Sequence, residues 1–106
     1  MNEIQVLAIR AALDKMMRDD GYLSICTIDQ ILSVTGGVPR REDYQLLRLL
    51  HCVSFRDMEP ELLRGLPVLL QRVLQSEGIE ITFNAMPDRK QLRFIDVKPI
   101  KGRLSA

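Results

Sequence analysis

Two cysteines and a single histidine are the residues of this chain that could hold a metal or act as a nucleophile. Cys26, His51 and Cys52 together offer thiolate and imidazole groups, which zinc prefers as ligands. Adjacent residues of a helix diverge by about 100°, however, so His51 and Cys52 are poorly placed to grip one ion or to act as base and nucleophile. The C-x-x-C spacing of structural zinc sites is also missing from the sequence. We therefore expect no metal site, and we expect both cysteines to be buried as small apolar residues.

No other motif in the sequence points to catalysis or to a cofactor. Gly36-Gly37 follows a predicted helix rather than a strand, and no Lys-Ser or Lys-Thr pair follows it, so it does not match a phosphate-binding loop. The acidic pairs Asp19-Asp20 and Glu42-Asp43 lie at predicted helix ends, where they serve capping and the helix dipole. The sequence therefore predicts a protein that is not an enzyme, with no catalytic residue and no cofactor.

Polar side chains in two segments form a second pattern with chemical meaning. Six of them are candidates for nucleic-acid contacts: Arg41, Gln45, Arg48, Arg89, Lys90 and Arg93. The first three share a face of a predicted helix and could reach base edges, since arginine pairs with guanine and glutamine with adenine. The last three lie in or beside a predicted hairpin turn and could hold backbone phosphates. The alternative is structural, because a solvated helix face and a protected strand edge need the same residue types.

The elements that position these residues are helical over most of the chain. Asn2 is the predicted N-cap of a first helix, which Gly21 ends in the left-handed conformation. Residues 22–26 are partly β-branched or aromatic, and they predict a short strand. Thr27-Ile28-Asp29-Gln30 matches a capping box and opens a second helix, which ends at Gly36-Gly37.

Two further helical regions are rich in leucine. Pro39 is predicted at the first position of the third helix, where its missing N–H costs nothing. The apolar side of that helix is predicted to comprise Leu46, Leu47, Leu49, Leu50 and Val53. The fourth region begins at Glu59-Pro60, and Pro67 predicts a break or a kink within it. Because its apolar arc is wide, this region could also form a homodimer seam.

The period of the sequence changes to two after Gly78. Ile79, Ile81 and Phe83 alternate with polar residues, which predicts a half-buried strand. After a turn around Pro87-Asp88, the alternation resumes but slips by one residue, which predicts either a bulge near Phe94 or a strand buried on both faces. The chain therefore predicts a mainly helical α+β fold of four to five helices followed by a C-terminal β-hairpin.

This order of helices and hairpin resembles the winged-helix family. In that family the third helix enters the DNA major groove and the hairpin forms the wing. The resemblance implies that Arg41, Gln45 and Arg48 lie on the recognition helix, with Arg89 and Lys90 on the wing. The extra leucine-rich region between them departs from the family pattern.

Three strings also resemble small uncharacterised proteins encoded by bacteriophages and prophages. They are Ser24-Ile25-Cys26-Thr27-Ile28-Asp29, Leu50-His51-Cys52-Val53 and Asp57-Met58-Glu59-Pro60-Glu61-Leu62. The similarity covers roughly residues 4–75 and implies a small regulator, or a protein that disables a host system by binding it. It assigns no role to any residue.

Composition and charge set the remaining bounds. With 106 residues and 46% hydrophobic content, residues 1–98 are predicted to form one globular domain with residues 99–106 as a basic tail. Residues 1–80 carry nine Lys/Arg against twelve Asp/Glu, whereas residues 81–106 carry six against two. A basic end of this kind could attract an anionic partner. No signal peptide or membrane span is recognisable, so a cytoplasmic protein is expected.

Two hypotheses remain open at this point. The first is an interaction module that binds a protein partner through the hairpin edge or the leucine-rich helix. It rests on the near-neutral net charge of +1, the lack of catalytic motifs and the surplus of leucine. The second is a winged-helix-like DNA-binding transcriptional regulator that uses the six polar residues above. Dedicated nucleic-acid binders are commonly more basic, which favours the first hypothesis.

Overall fold

The computed structural model describes residues 2–75 and 79–99, and it confirms the mainly helical α+β fold. The helices are α1 (Glu3–Asp14), α2 (Ile25–Thr35), α3 (Arg41–Leu49) and α4 (Pro60–Leu74), and the strands are β1 (Ile79–Met86) and β2 (Gln91–Pro99). A π-helical segment, Lys15–Asp20, continues α1, and short 3-10 turns cover Phe55–Asp57 and Pro87–Arg89.

The first helix begins and ends as the sequence predicts. The side chain of Asn2 accepts a hydrogen bond from the Gln5 amide at 2.8 Å, and the Gln5 side chain accepts one from the Asn2 amide at 3.0 Å. This reciprocal pair is a capping box and satisfies two free N–H groups. At the other end Gly21 has φ 70°, a left-handed conformation that suits glycine.

The start of α2 differs from the prediction. Ser24 is the N-cap and its hydroxyl accepts from the Thr27 amide, so the predicted capping box at residues 27–30 is wrong. The predicted strand at residues 22–26 is also wrong, because Ile25 and Cys26 are already helical. In this segment Tyr22 forms an isolated antiparallel β-bridge with Ser54. The capping side chain of Ser24 accounts for the difference, since it makes a helix start possible three residues earlier.

Gly36 ends α2 in a left-handed conformation with φ 71°, and a turn then leads to α3. The helix begins at Arg41 with Arg40 as N-cap, so Pro39 precedes it rather than occupying its first position. The predicted apolar side of α3 is only partly buried. Leu47 is fully buried and Leu50 is half-buried, but Leu46 and Leu49 are exposed.

Helix α4 forms the centre of the fold, and it runs unbroken through Pro67. Of the predicted break or kink at Pro67, the break is therefore wrong. A proline removes one backbone hydrogen bond, whereas this helix buries six apolar side chains: Leu63, Leu66, Leu69, Leu70, Val73 and Leu74. That burial outweighs the lost hydrogen bond, because each such side chain contributes about 1.5–3 kcal/mol.

The hairpin packs against α4 and α1. Gln71 in α4 donates a 3.1 Å hydrogen bond from its side chain to the carbonyl oxygen of Ile81 in β1. The backbone register pairs Thr82 with Asp96 but Phe83 with Phe94, so Ile95 is the extra residue of a β-bulge. The bulge predicted near Phe94 is thereby confirmed.

Two predictions, the basic tail and the lack of a membrane span, can be compared only with the described residues. Of the predicted basic tail, residues 100–106 lie outside the described part, and Pro99 belongs to β2. Within residues 2–75 and 79–99, no helix has the length and apolar character needed to cross a membrane.

Candidate functional site

Helices α3 and α4 are in contact. Asp43, near the start of α3, forms an ion pair with Arg72, near the end of α4. Nη2 of Arg72 and Oδ1 of Asp43 are 3.2 Å apart. Asp43 is 6% exposed and is the only buried charged residue among those whose side chains the structure describes. Its second oxygen, Oδ2, has no hydrogen-bond partner among the described residues. The pair and the full burial of Leu47 both favour a rotation of α3 about its own axis that points these side chains inwards.

That rotation creates an apolar groove on the outer side of the two helices. Asp43 and Leu47 point inwards, and Leu46 and Leu49 are left at the surface with exposures of 49% and 78%. Leu62 of α4 faces the same space and is 42% exposed. The groove has a volume of about 330 Å³, and six leucines line it: Leu46, Leu49, Leu50, Leu62, Leu66 and Leu69. We call these six residues and the space between them the leucine groove.

Polar residues and a glycine complete the leucine groove. Glu61 lines it near the start of α4 and Arg72 near the end, so its two ends carry opposite charges. Gly65 lies between them, and a Cβ at this position would meet no atom within 4 Å. The absence of a side chain there leaves the helix backbone open to close approach by another segment.

The predicted nucleic-acid residues fall into two separate groups. Gln45 and Arg48 line one shallow depression on α3, together with Leu49, and Arg41 is exposed at the start of the same helix. Arg89 and Lys90 are exposed in the hairpin turn, and none of the described hairpin residues lines the depression on α3.

Arg93 pairs with Asn84 in the backbone register, and its side chain lies outside the described residues. The structure thus brings Gln45 and Arg48 together on α3, and it places Arg89 and Lys90 at the hairpin turn.

A hydrogen bond from Tyr44 holds α3 against α2. The phenol oxygen of Tyr44 donates to Oδ1 of Asp29 at 2.6 Å. This bond raises the pKa of the Tyr44 phenol, and partial burial and the negative charge of Asp29 act in the same direction. The bond therefore links the helix that carries Gln45 and Arg48 to α2.

The positions of the two cysteines and the hydrogen bond of the histidine differ from what the sequence predicts. Cys26 and Cys52 are both exposed, so the prediction that they are buried is wrong. His51 accepts a hydrogen bond at Nδ1 from the amide of Ile25, 3.0 Å away, and so caps the first turn of α2. No group of three or more potential metal ligands occurs in the part of the chain that the structure describes.

The sequence predicts the leucine-rich helix as a partner contact, but it does not predict the groove that α3 and α4 form together. A signal for the groove was present, because the leucines of α3 span too wide an arc for one buried stripe. No known protein family, curated protein or solved structure matches this chain.

Proposed function

We propose that the protein is a small non-enzymatic interaction module that acts by binding a protein partner, and that the leucine groove is its binding surface. One observation carries the proposal, which is that two packed helices present Leu46, Leu49 and Leu62 to solvent around one groove. Single exposed apolar residues are ordinary on protein surfaces, but a contiguous apolar patch with polar ends is typical of an interaction site.

The dimensions of the groove suit a helical partner segment. Glu61 and Arg72 are eleven residues apart, which corresponds to about 16 Å along α4. An amphipathic helix of about three turns would span this length and insert apolar side chains at helical spacing. A basic residue at one end of that segment and an acidic one at the other would complement Glu61 and Arg72. The resemblance to phage and prophage proteins favours a host protein as the source of the segment.

Site-specific photocrosslinking in the organism of origin tests this function. A photoreactive amino acid replaces Leu49, and in a matched control it replaces Val38, which is almost fully exposed in the loop between α2 and α3. We expect one discrete crosslinked partner at position 49 and none at position 38. Leu62→Glu, which lies across the groove on α4, should abolish the crosslink while the circular dichroism spectrum stays unchanged.

Two results would reject the function. One is the same set of products at positions 49 and 38, which would show non-specific contact. The other is a crosslink at position 49 that survives Leu62→Glu. An adduct with twice the mass of the chain would show that the groove binds a second copy, as the predicted homodimer seam implies.

A DNA-binding regulator is the second candidate function. The observation in its favour is that Gln45 and Arg48 lie side by side and exposed on α3, which Tyr44 anchors to α2. Titration with mixed-sequence duplex DNA at low and moderate salt tests it. Binding that weakens steeply with salt, and that Arg41→Ala with Arg48→Ala removes, would support phosphate contacts and counterion release. A lack of binding at low salt would reject this candidate.

A further inference from the structure

Helix α1 is apolar on two opposite faces. Its inner face buries Val6, Ile9 and Leu13 against the rest of the fold. On its outer face Ile4 and Leu7 are 77% and 59% exposed. Ala8 and Ala11 share that outer face, because positions i, i+3, i+4 and i+7 of a helix lie on one side. An outer stripe of this kind, with no polar residue inside it, indicates a surface that another helix covers.

Charged residues lie at both ends of this stripe. Glu3, Leu7, Ala11 and Lys15 follow one another at intervals of four and so form a single ridge along the helix. Lys15 keeps the helical spacing, because its amide still donates to the carbonyl oxygen of Ala11. Along the ridge the side chains are therefore acidic at Glu3, large and apolar at Leu7, small at Ala11 and basic at Lys15.

The order of these four residues is self-complementary in one arrangement. When two copies of the ridge lie antiparallel, Glu3 faces Lys15 and Leu7 faces Ala11, and a two-fold axis repeats each contact. The large side chain then fills the space above the small one, and each acidic group meets a basic group. A parallel arrangement would instead place Glu3 against Glu3 and Leu7 against Leu7.

We propose that the outer face of α1 binds a second copy of this chain, with the two α1 helices antiparallel across a two-fold axis. The side chain of Lys15 is available for this contact, since its only described ion pair is with Asp20 at 3.7 Å and it stays exposed. The surface is separate from the leucine groove, because α1 packs on the hairpin and α2 whereas α3 packs on α4. The proposal therefore does not depend on the proposed function.

The size of the contact sets its strength. Twelve residues of α1 extend for about 18 Å, so the interface lies at the low end of the range for specific complexes. We expect a reversible dimer that forms at micromolar concentration rather than an obligate one. Both apolar surfaces would then be in use at once, one between copies and the other for the partner.

Sedimentation equilibrium of the full chain and of five variants tests the proposal. Leu7→Lys should weaken dimerisation at least ten-fold, and Leu49→Lys should leave it unchanged. Glu3→Lys and Lys15→Glu should each weaken it about five-fold, as expected for surface ion pairs that occur twice. The double variant Glu3→Lys with Lys15→Glu should restore the dimer, because the antiparallel contacts are re-formed with reversed sign.

Three outcomes would overturn the proposal. The first is a monomer at all concentrations up to the millimolar range. The second is a dimer that Leu49→Lys breaks and Leu7→Lys does not, which would place self-association in the leucine groove. The third is a failure of the double charge reversal to restore what each single reversal weakens, which would exclude the antiparallel register. Thermal unfolding of each variant shows that loss of the dimer is not loss of the fold.

Discussion

The phenol of Tyr44 in α3 and the carboxylate of Asp29 in α2 are joined by a 2.6 Å hydrogen bond. The two residues are fifteen apart in the sequence and belong to different helices, so the bond links α3 to α2. The pKa of the phenol is raised because its proton is held by a carboxylate. Stability linked to this bond is complete below the ordinary tyrosine pKa of about 10, and it is lost as pH rises through the higher pKa of the folded state.

Tyr44→Phe is therefore expected to lower the free energy of unfolding by about 0.5–1 kcal/mol at neutral pH. The wild-type protein should lose this margin above about pH 10, where Tyr44→Phe has nothing equivalent to lose. Urea unfolding at neutral and alkaline pH measures both effects. Tyr22→Phe is the matched control, and an equal effect of the two substitutions would show that the bond to Asp29 contributes nothing.

His51 is expected to act as a helix cap. His51→Phe keeps an aromatic ring but removes the acceptor for the Ile25 amide, so it should cost about 0.5–1.5 kcal/mol. His51→Asn retains an acceptor close to the position of Nδ1 and should recover more than half of that loss. Urea unfolding of both variants distinguishes capping from general packing, because packing alone would make the smaller asparagine the worse replacement.

Cys52 has φ 66°, a left-handed conformation that is strained for a residue with a side chain. Cys52→Gly should therefore raise the free energy of unfolding by about 0.5–1 kcal/mol. Cys26→Gly is the matched control, since Cys26 lies within α2 and glycine costs about 1 kcal/mol there. The same substitution should thus have opposite signs at the two positions in thermal or urea unfolding. A loss of stability at both positions would contradict the assigned strain.

Leu47 and Leu49 are expected to differ sharply although they are near neighbours in α3. Leu47 is fully buried, and Leu47→Ala should cost about 2–5 kcal/mol because it leaves a cavity. Leu49 is mostly exposed, and Leu49→Ala should change stability by less than about 0.5 kcal/mol. Comparable losses measured by urea unfolding would mean that Leu49 is covered in the isolated protein and that the leucine groove is closed.

Local signals in the sequence predict much of this fold. The cap at Asn2, the left-handed glycines at positions 21 and 36, and the break in the alternation after Phe94 each depend on a few adjacent residues. For that reason they are readable without a structure. The hydrogen bond from the Ile25 amide to His51 joins residues twenty-six positions apart, and no local sequence pattern near either residue predicts it.

The candidate site could not be predicted in the same way. The six predicted nucleic-acid residues belong to α3 and the hairpin, whereas the leucine groove is formed by apolar side chains of α3 and α4 together. Leu46, Leu47 and Leu49 have the same chemistry, so only the rotation of α3 decides which of them is buried. That rotation is favoured by tertiary contacts, among them the ion pair between Asp43 and Arg72 on another helix.

The ion pair between Asp43 and Arg72 is the last contact for which we predict an effect. Arg72→Met would keep the aliphatic stem but leave a buried carboxylate without its cation, which is unfavourable in an apolar environment. Because the Arg72 side chain is half exposed to solvent, we expect a loss of about 2 kcal/mol rather than the larger cost of a fully buried pair. Adding Asp43→Asn to Arg72→Met should recover part of the loss, since the uncompensated charge is then removed.

Arg64→Met, at an exposed position of the same helix, is the control and should change stability by less than about 0.5 kcal/mol. Urea unfolding of the four proteins measures these differences, and equal effects of Arg72→Met and Arg64→Met would show that the pair does not hold α3 in its observed rotation.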